Sequence, residues 1–177
     1  MIRLHPCWLR PANHAGKALR GKAPRAPYTP PRTISASRGY EGKMMNITIT
    51  DDRNALQFER VHGLLKETYW AKERTREEFR RACEHSICYS LLVDGVQAGF
   101  ARVVTDYTTV FYIGDVIIAP EYRGRGLGVK LMEHIMSDSR FNFTLGVLLT
   151  SDAHGLYEKF GFTREGERFM SVNKLEL

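Results

Sequence analysis

Apolar and polar positions divide the chain at about residue 44. Residues 1–43 show no apolar periodicity, whereas almost every later stretch follows a strand or helix period. Ile47-Thr48-Ile49-Thr50 alternates strictly and predicts a short strand. Leu56, Val61, Leu64 and Leu65 share one helical stripe, which predicts a helix from about Ala55 to Thr68 with Asp51 or Asp52 as its cap. Residues 69–74 interrupt that period. Thr75-Arg76-Glu77-Glu78 is a capping box, so a second helix starts there and carries Phe79 and Ala82. Ile87 to Val93 reads as a strand, Asp94-Gly95 as a hairpin turn, and Val96 to Thr105 as its antiparallel return. Thr109 to Ile118 is the next strand, and its β-branched end, Val116-Ile117-Ile118, suits a strand covered on both faces.

A helix over 127–137 follows, because Leu127, Leu131 and Ile135 recur at helical spacing, as do Met132 and Met136. Phe143 to Thr150 predicts a second buried strand. Ser151 or Asp152 then caps a short helix through Lys159, which Gly161 stops. A last strand covers about Phe169 to Leu175. Antiparallel strands precede a strand–helix–strand–helix–strand run, so the fold class is α/β with a mixed, mostly antiparallel sheet flanked by helices (α+β).

The stretch between the third long strand and the 127–137 helix carries the chemistry. Pro120 ends the ladder, and Gly124, Gly126 and Gly128 alternate with Arg123, Arg125 and Leu127. The first N–H groups of a helix have no partner inside it and carry partial positive charge. Glycines let a ligand approach that backbone, so the order strand, glycine loop, helix makes an anion site suited to phosphate or pyrophosphate. The plainer reading is a glycine-rich turn with solvated arginines. The dinucleotide fingerprint Gly-x-Gly-x-x-Gly fails at Val129, and the P-loop fails because Val129, not Lys, follows Gly128.

What fits is Arg-x-x-Gly-x-Gly at 123–128. It resembles the coenzyme A signature of the GNAT N-acetyltransferase superfamily, as do Val116-Ile117-Ile118-Ala119-Pro120-Glu121-Tyr122-Arg123-Gly124 and Leu156-Tyr157-Glu158-Lys159-Phe160-Gly161-Phe162. The resemblance covers roughly Ile47 to Lys174 and is sharpest over 110–162. It implies the GNAT fold, acetyl-CoA as co-substrate, no metal, and transfer of the acetyl group to a primary amine in a ternary complex. A small-molecule amine is the expected acceptor. A protein or peptide amine, or a non-catalytic acyl-CoA sensor, is the alternative.

The same resemblance implies roles by position. Backbone N–H groups of Arg123, Gly124, Arg125, Gly126, Leu127 and Gly128 hold the pyrophosphate. Edge groups of Val116, Ile117 and Ile118 pair with the pantetheine arm, and one N–H polarises the thioester carbonyl. Where the superfamily commonly has an asparagine seven residues before its tyrosine, this chain has Thr150, a departure from the pattern, so the resemblance implies less about contacts to that arm; Thr150 is the candidate cofactor-binding residue at that position. Tyr157 matches the tyrosine that protonates the leaving thiolate, although an aromatic residue on a short helix also serves simply as packing. Asp115, at the ligand strand, is a candidate base; a lone carboxylate there also suits capping a bulge or pairing with an arginine. His154 is the second candidate base, since it lies three residues before Tyr157 on one helix face and histidine titrates near neutrality. Tyr69, Trp70 and Arg74, in the helix interruption, are the candidate acceptor-binding residues.

Composition sharpens the boundary and removes some functions. The 177-residue chain is long enough for one domain, and 43% apolar residues can build its core. The net charge of +6 is misleading as a whole. Residues 1–43 hold nine of the 26 Lys and Arg, one of the 20 acidic residues and six of the seven prolines. The remainder is therefore slightly acidic, and nucleic acid is not an expected partner of the folded part. We expect 1–43 to be a disordered basic extension and 44–177 the domain. An upstream start-site artefact (with Met44 or Met45 as initiator), a transit peptide and a nucleic-acid-binding arm are the three readings of the extension. No apolar run approaches the roughly 20 residues of a membrane span. The three cysteines lack disulfide or metal spacing, so Cys83 and Cys88 are expected buried, in a reducing, cytoplasmic compartment. An exposed terminal strand makes a homodimer possible.

Overall fold

The computed structural model describes residues 37–38, 44–166 and 170–171. One sheet of five strands organises it: β3 (Ile47–Thr50), β4 (Ile87–Val93), β5 (Val96–Thr105), β6 (Val110–Ile118) and β7 (Leu145–Leu148), in that spatial order. Neighbours are antiparallel from β3 to β6, and β7 lies parallel to β6. Two further short strands, β1 (Ser37–Arg38) and β2 (Met44–Met45), pair with each other across the expected 43/44 boundary. The mixed, mostly antiparallel sheet flanked by helices matches the fold class read from the sequence. No helix among the described residues is long and apolar enough to cross a membrane.

The sheet separates two apolar layers. On one face Ile87, Tyr89, Leu91 and Val93 of β4 pack with Leu127, Leu131, Met132 and Ile135 of α3 (Leu127–Met136). On the other, Cys88 and Phe100 pack with Val61 and Leu65 of α1 (Phe58–Lys66) and with Phe79 and Cys83 of α2 (Arg76–Glu84). Thr75 caps α2 through the reciprocal bonds of a capping box with Glu78, as its sequence predicts. Cys83 and Cys88 are both free and buried.

Three expectations are corrected. The helix expected from Ala55 to Thr68 is a 3-10 turn over Arg53–Ala55 followed by the shorter α1. Asp52 caps the turn, not α1. Gln57 breaks the period because it is committed to the β4–β5 hairpin. Its backbone N–H donates to Gln97 Oε1 (3.1 Å), and its side-chain amide donates to the Gly95 carbonyl (2.7 Å). Tertiary hydrogen bonds here outweigh local helix propensity. The buried strand expected over 143–150 is four residues long and largely uncovered, with Phe143 83%, Leu145 67% and Leu149 60% exposed. Phe143 has φ +68°, a left-handed kink that ends any extended run on that side. Finally, α4 (His154–Tyr157) has no side-chain cap; the Thr150 hydroxyl, rather than Ser151 or Asp152, accepts from the Ala153 N–H at 3.0 Å. The expected last strand over 169–175 falls almost wholly outside the described residues.

A polar cluster lies inside the α3 layer. Tyr89 donates its hydroxyl proton to Asp138 Oδ2 (2.6 Å), and Arg140 bonds both that carboxylate and Asp51 (2.6 Å). His134 sits edge-on to Tyr89, 2% exposed, and its Nε2 has no hydrogen-bond partner among the described residues. Burial lowers the His134 pKa, against the opposing pull of Asp138 and Asp51. The unfolded chain, with an ordinary imidazole near 6.5, therefore binds more protons just below that pH than the folded chain does. The melting temperature should accordingly fall as pH drops from 7 to 5. His134→Phe, which keeps the ring contact, should flatten that fall; an unchanged slope in the variant would contradict the assignment.

Candidate active site

The glycine loop takes the form its spacing requires. Gly124 and Gly126 have φ +74° and +73°, in the left-handed region, and Gly126 is the N-cap of α3. No side chain caps that helix, so its first N–H groups face outward from the loop. Gly128 differs: it lies within the first turn of α3, where an added Cβ would make an ordinary 3.8 Å contact with Ile118 Cγ1. The two arginines fold back onto the protein. Arg123 Nε donates to the Ile118 carbonyl at 3.0 Å, and the Arg125 guanidinium lies 5.7 Å from the centre of the Tyr122 ring.

The strand leading into the loop is split in its pairing. β7 pairs with Val110 to Ile113 of β6 and stops there. Beyond Ile113, β6 continues to Ile118 against β5 alone, so the β7-side edge of Val116–Ile118 is open among the described ladders. Between these halves lies a bulge at Asp115, φ +54°. Arg102 of β5 pairs with Gly114 but Phe100 pairs with Ile117, which leaves an extra residue on β6. Phe111 and Ile113 belong to the α3 layer before the bulge; after it, Val116 and Ile118 pack there, and Ile117 turns to the α1–α2 layer. One residue thus reverses which side chains face which layer.

A cavity of about 490 Å³ opens at this split. It brings together Tyr69, Trp70, Arg74, Asp115, Val116, Thr150 and Tyr157, all singled out from the sequence. Tyr69 and Trp70 stand edge to face at 4.9 Å, and the Tyr69 hydroxyl is hydrogen-bonded to Ser151 across the mouth. His154 and the loop residues 123–128 do not line it. Tyr157 is 8% exposed overall and presents its hydroxyl-bearing ring to the cavity. Burial, reinforced by Asp152, Tyr112 and Tyr69, pushes its pKa up to about 12, so the phenol carries its proton at neutral pH.

Asp115 does not stand alone. Its Oδ2 accepts from Arg74 Nη1 and from Arg102 Nε, both at 2.8 Å, and its side chain is only 3% exposed. Of the three roles read from the sequence, the geometry displays the bulge and the arginine pair. Arg102, Tyr112 and Asp152 also line the cavity and were not singled out from the sequence. Arg102 had one legible signal: it is a lone charge in the apolar run Ala98-Gly99-Phe100-Ala101-Arg102-Val103-Val104.

These features match known proteins. The acetyltransferase (GNAT) family profile matches residues 53–162, more than half of the chain, and the chain belongs to that family. A crystal structure of a GNAT-family acetyltransferase from Xanthomonas campestris pv. campestris is 38% identical, with a TM-score of 0.69 over 72% of this chain and 93% of that one. The 5-NmdU N-acetyltransferase of Pseudomonas phage PaMx11 is 42% identical over 68 residues, 37% of this chain and 46% of that protein. Serotonin N-acetyltransferase 2, chloroplastic, of Oryza sativa subsp. japonica is 30% identical over 99 residues, 52% of this chain and 50% of that protein. The chain spans about half the length of these two relatives or a little less.

The loop geometry makes opposite predictions for two glycines. Gly126→Ala places a Cβ at φ +73° and should cost about 1 kcal/mol, the left-handed penalty. Gly128→Ala should be neutral or stabilising by up to about 1 kcal/mol, because it removes a flexible residue from a helix. Urea unfolding of both variants reads the difference; equal costs would contradict the loop geometry.

Proposed function

We propose that this chain transfers an acetyl group from acetyl-CoA to a primary amine of a small molecule, by direct attack in a ternary complex. The observation that carries the reading is the cavity at the split between β6 and β7, lined by a neutral, buried Tyr157, on the same strand that leads into the uncapped N-terminus of α3.

The residues present suit the donor. The backbone N–H groups of 123–128 are available to a pyrophosphate, and nothing lies within 4 Å of the space a Cβ would fill at Gly124 or Gly126. The open edge of Val116–Ile118 offers N–H and C=O groups to amides of the pantetheine arm. Ile117 faces β5, where it pairs with Phe100, and the Ile118 carbonyl already accepts from Arg123, so the Val116 groups and the Ile118 N–H carry more of that role. Thr150, whose hydroxyl binds the Ala153 N–H, shapes the opposite wall. When bound, acetyl-CoA supplies an activated acyl carbonyl and a thiolate leaving group.

The chain's own groups do the rest. Tyr157 holds its proton at neutral pH, the state from which a general acid must start. Tyr69 and Trp70 form an aromatic wall for the acceptor, and Arg74 reaches the same cavity from the end of that segment. Holding both reactants against one strand supplies several kcal/mol of the barrier reduction. A concave, half-open cavity of about 490 Å³ has the size of a small-molecule site, which supports a small acceptor. The names of two relatives, for 5-NmdU and for serotonin, are consistent with that choice.

Tyr157→Phe tests the reading. With an acceptor found by screening amines for thiol release, kcat should fall by about 10²-fold or more while acetyl-CoA binding is retained. Full activity in the variant would remove Tyr157 as the acid, and thiol release from no amine would favour an acyl-CoA-binding module.

A further inference from the structure

We propose that Arg102 and Arg74 are positioning residues that act through Asp115, and that this bridge, resting on the reading above, fixes the acceptor wall to the donor edge of β6. The bridge has three anchors. Arg74 closes the Tyr69–Arg74 segment, immediately before the cap of α2. Asp115 is the left-handed residue of the β6 bulge, one position before the open edge begins. Arg102 comes from β5, and its Nη1 runs on to Ser86 Oγ (3.1 Å), which in turn donates to the Ala82 carbonyl of α2 (2.7 Å). A single carboxylate oxygen therefore joins the acceptor segment, the donor strand and the end of α2.

Two physical points favour positioning over a base at Asp115. The oxygen that meets both guanidiniums has its acceptor capacity used in charge-assisted bonds, the strong and directional kind. A non-glycine residue at φ +54° is also a strained choice that persists only where its surroundings hold it. The two arginines, 24% and 14% exposed at the side chain, are those surroundings. Buried ion pairs add little net stability, but they specify geometry when fully bonded. The geometry specified here is the bulge that turns the edge of Val116–Ile118 toward the cavity. Tyr112 lines the same cavity, and burial followed by the nearby Asp115 charge raises its phenol pKa.

The test uses the full chain with Arg102→Gln, Arg102→Lys, Asp115→Asn and the Gln/Asn double variant, assayed well below their melting temperatures. Isothermal calorimetry reads acetyl-CoA binding, and thiol release with the screened amine reads kcat and KM. Asparagine tolerates the left-handed conformation, so Asp115→Asn removes the bridge without adding backbone strain. Arg102→Gln and Asp115→Asn should each lower kcat/KM for the amine by about 10²-fold, the size expected of a small misplacement. The double variant should lose little more than either single one, and Arg102→Lys should fall between Arg102→Gln and wild type. Acetyl-CoA binding should stay within a few-fold, since loop 123–128 lies outside the bridge. If Asp115→Asn abolishes turnover while Arg102→Gln leaves it intact, the carboxylate works alone as a base and the bridge is overturned. Wild-type turnover with every variant equally active also overturns it. A wild-type chain that does not bind acetyl-CoA overturns the functional reading itself, and the bridge's role with it.

Discussion

The extra residue at Asp115 is the constraint on which the rest of the site depends. A regular β6 would keep Phe111, Ile113, Asp115 and Ile117 on one face. The bulge instead passes the alternation to the other layer, so Ile117 packs beneath α1 and α2 while Val116 and Ile118 turn to the α3 side. The same irregularity falls where β7 leaves the ladder, so the strand's edge opens as its face reverses. The cavity, the free edge and the approach to the glycine loop all follow from that position. The chain holds it with charge: two guanidiniums, 41 and 13 residues earlier in the sequence, meet one carboxylate oxygen.

The parts of this arrangement differ in how far the sequence discloses them. The hairpin at Asp94-Gly95, the capping box at Thr75 and the glycine loop were legible because each depends on residue types a few positions apart. Glycine at 124 and 126 is required by φ alone, and no neighbour alters that. The break at Gln57 was not legible, because Gln97 and Gly95, about forty residues on, set it. The bulge was legible only as one of three roles open to Asp115. Aspartate at 115 is a permissible strand residue, and only its pairing with Arg74 and Arg102 shows why it bends the chain. Gly128 was over-read, since within α3 its side chain's absence matters little. The overlong strand at 143–150 arose because an apolar run looks the same at a sheet edge as in its centre; exposure of Leu145 and Leu149 separates the cases.

Within the site, the sequence indicated the residues but not their grouping. Tyr69, Trp70, Arg74, Asp115, Thr150 and Tyr157 meet in one cavity from four separate stretches, whereas His154 turns aside although it shares a short helix with Tyr157. Burial sets the protonation of Tyr157: its pKa is pushed up to about 12, so the phenol keeps its proton at neutral pH, and three neighbouring groups deepen that effect without contributing a hydrogen bond that would hold the phenolate. The polar cluster around Tyr89 and Asp138 reaches a similar depth in the molecule, where Tyr89 and Arg140 bond the Asp138 carboxylate and His134 Nε2 is left without a partner among the described residues.

The central claim is that the uncapped start of α3 and the open edge of β6 together hold a coenzyme A ester. Thermal melting of the full chain with acetyl-CoA, desulfo-CoA and NAD in separate samples tests it most directly. A ligand at 100 times its dissociation constant stabilises by about 2.7 kcal/mol, a readily measured shift. Both CoA compounds should raise the melting temperature and NAD should not. If neither CoA compound does so, loop 123–128 is a structural turn or a site for another phosphate, and the account fails at its foundation.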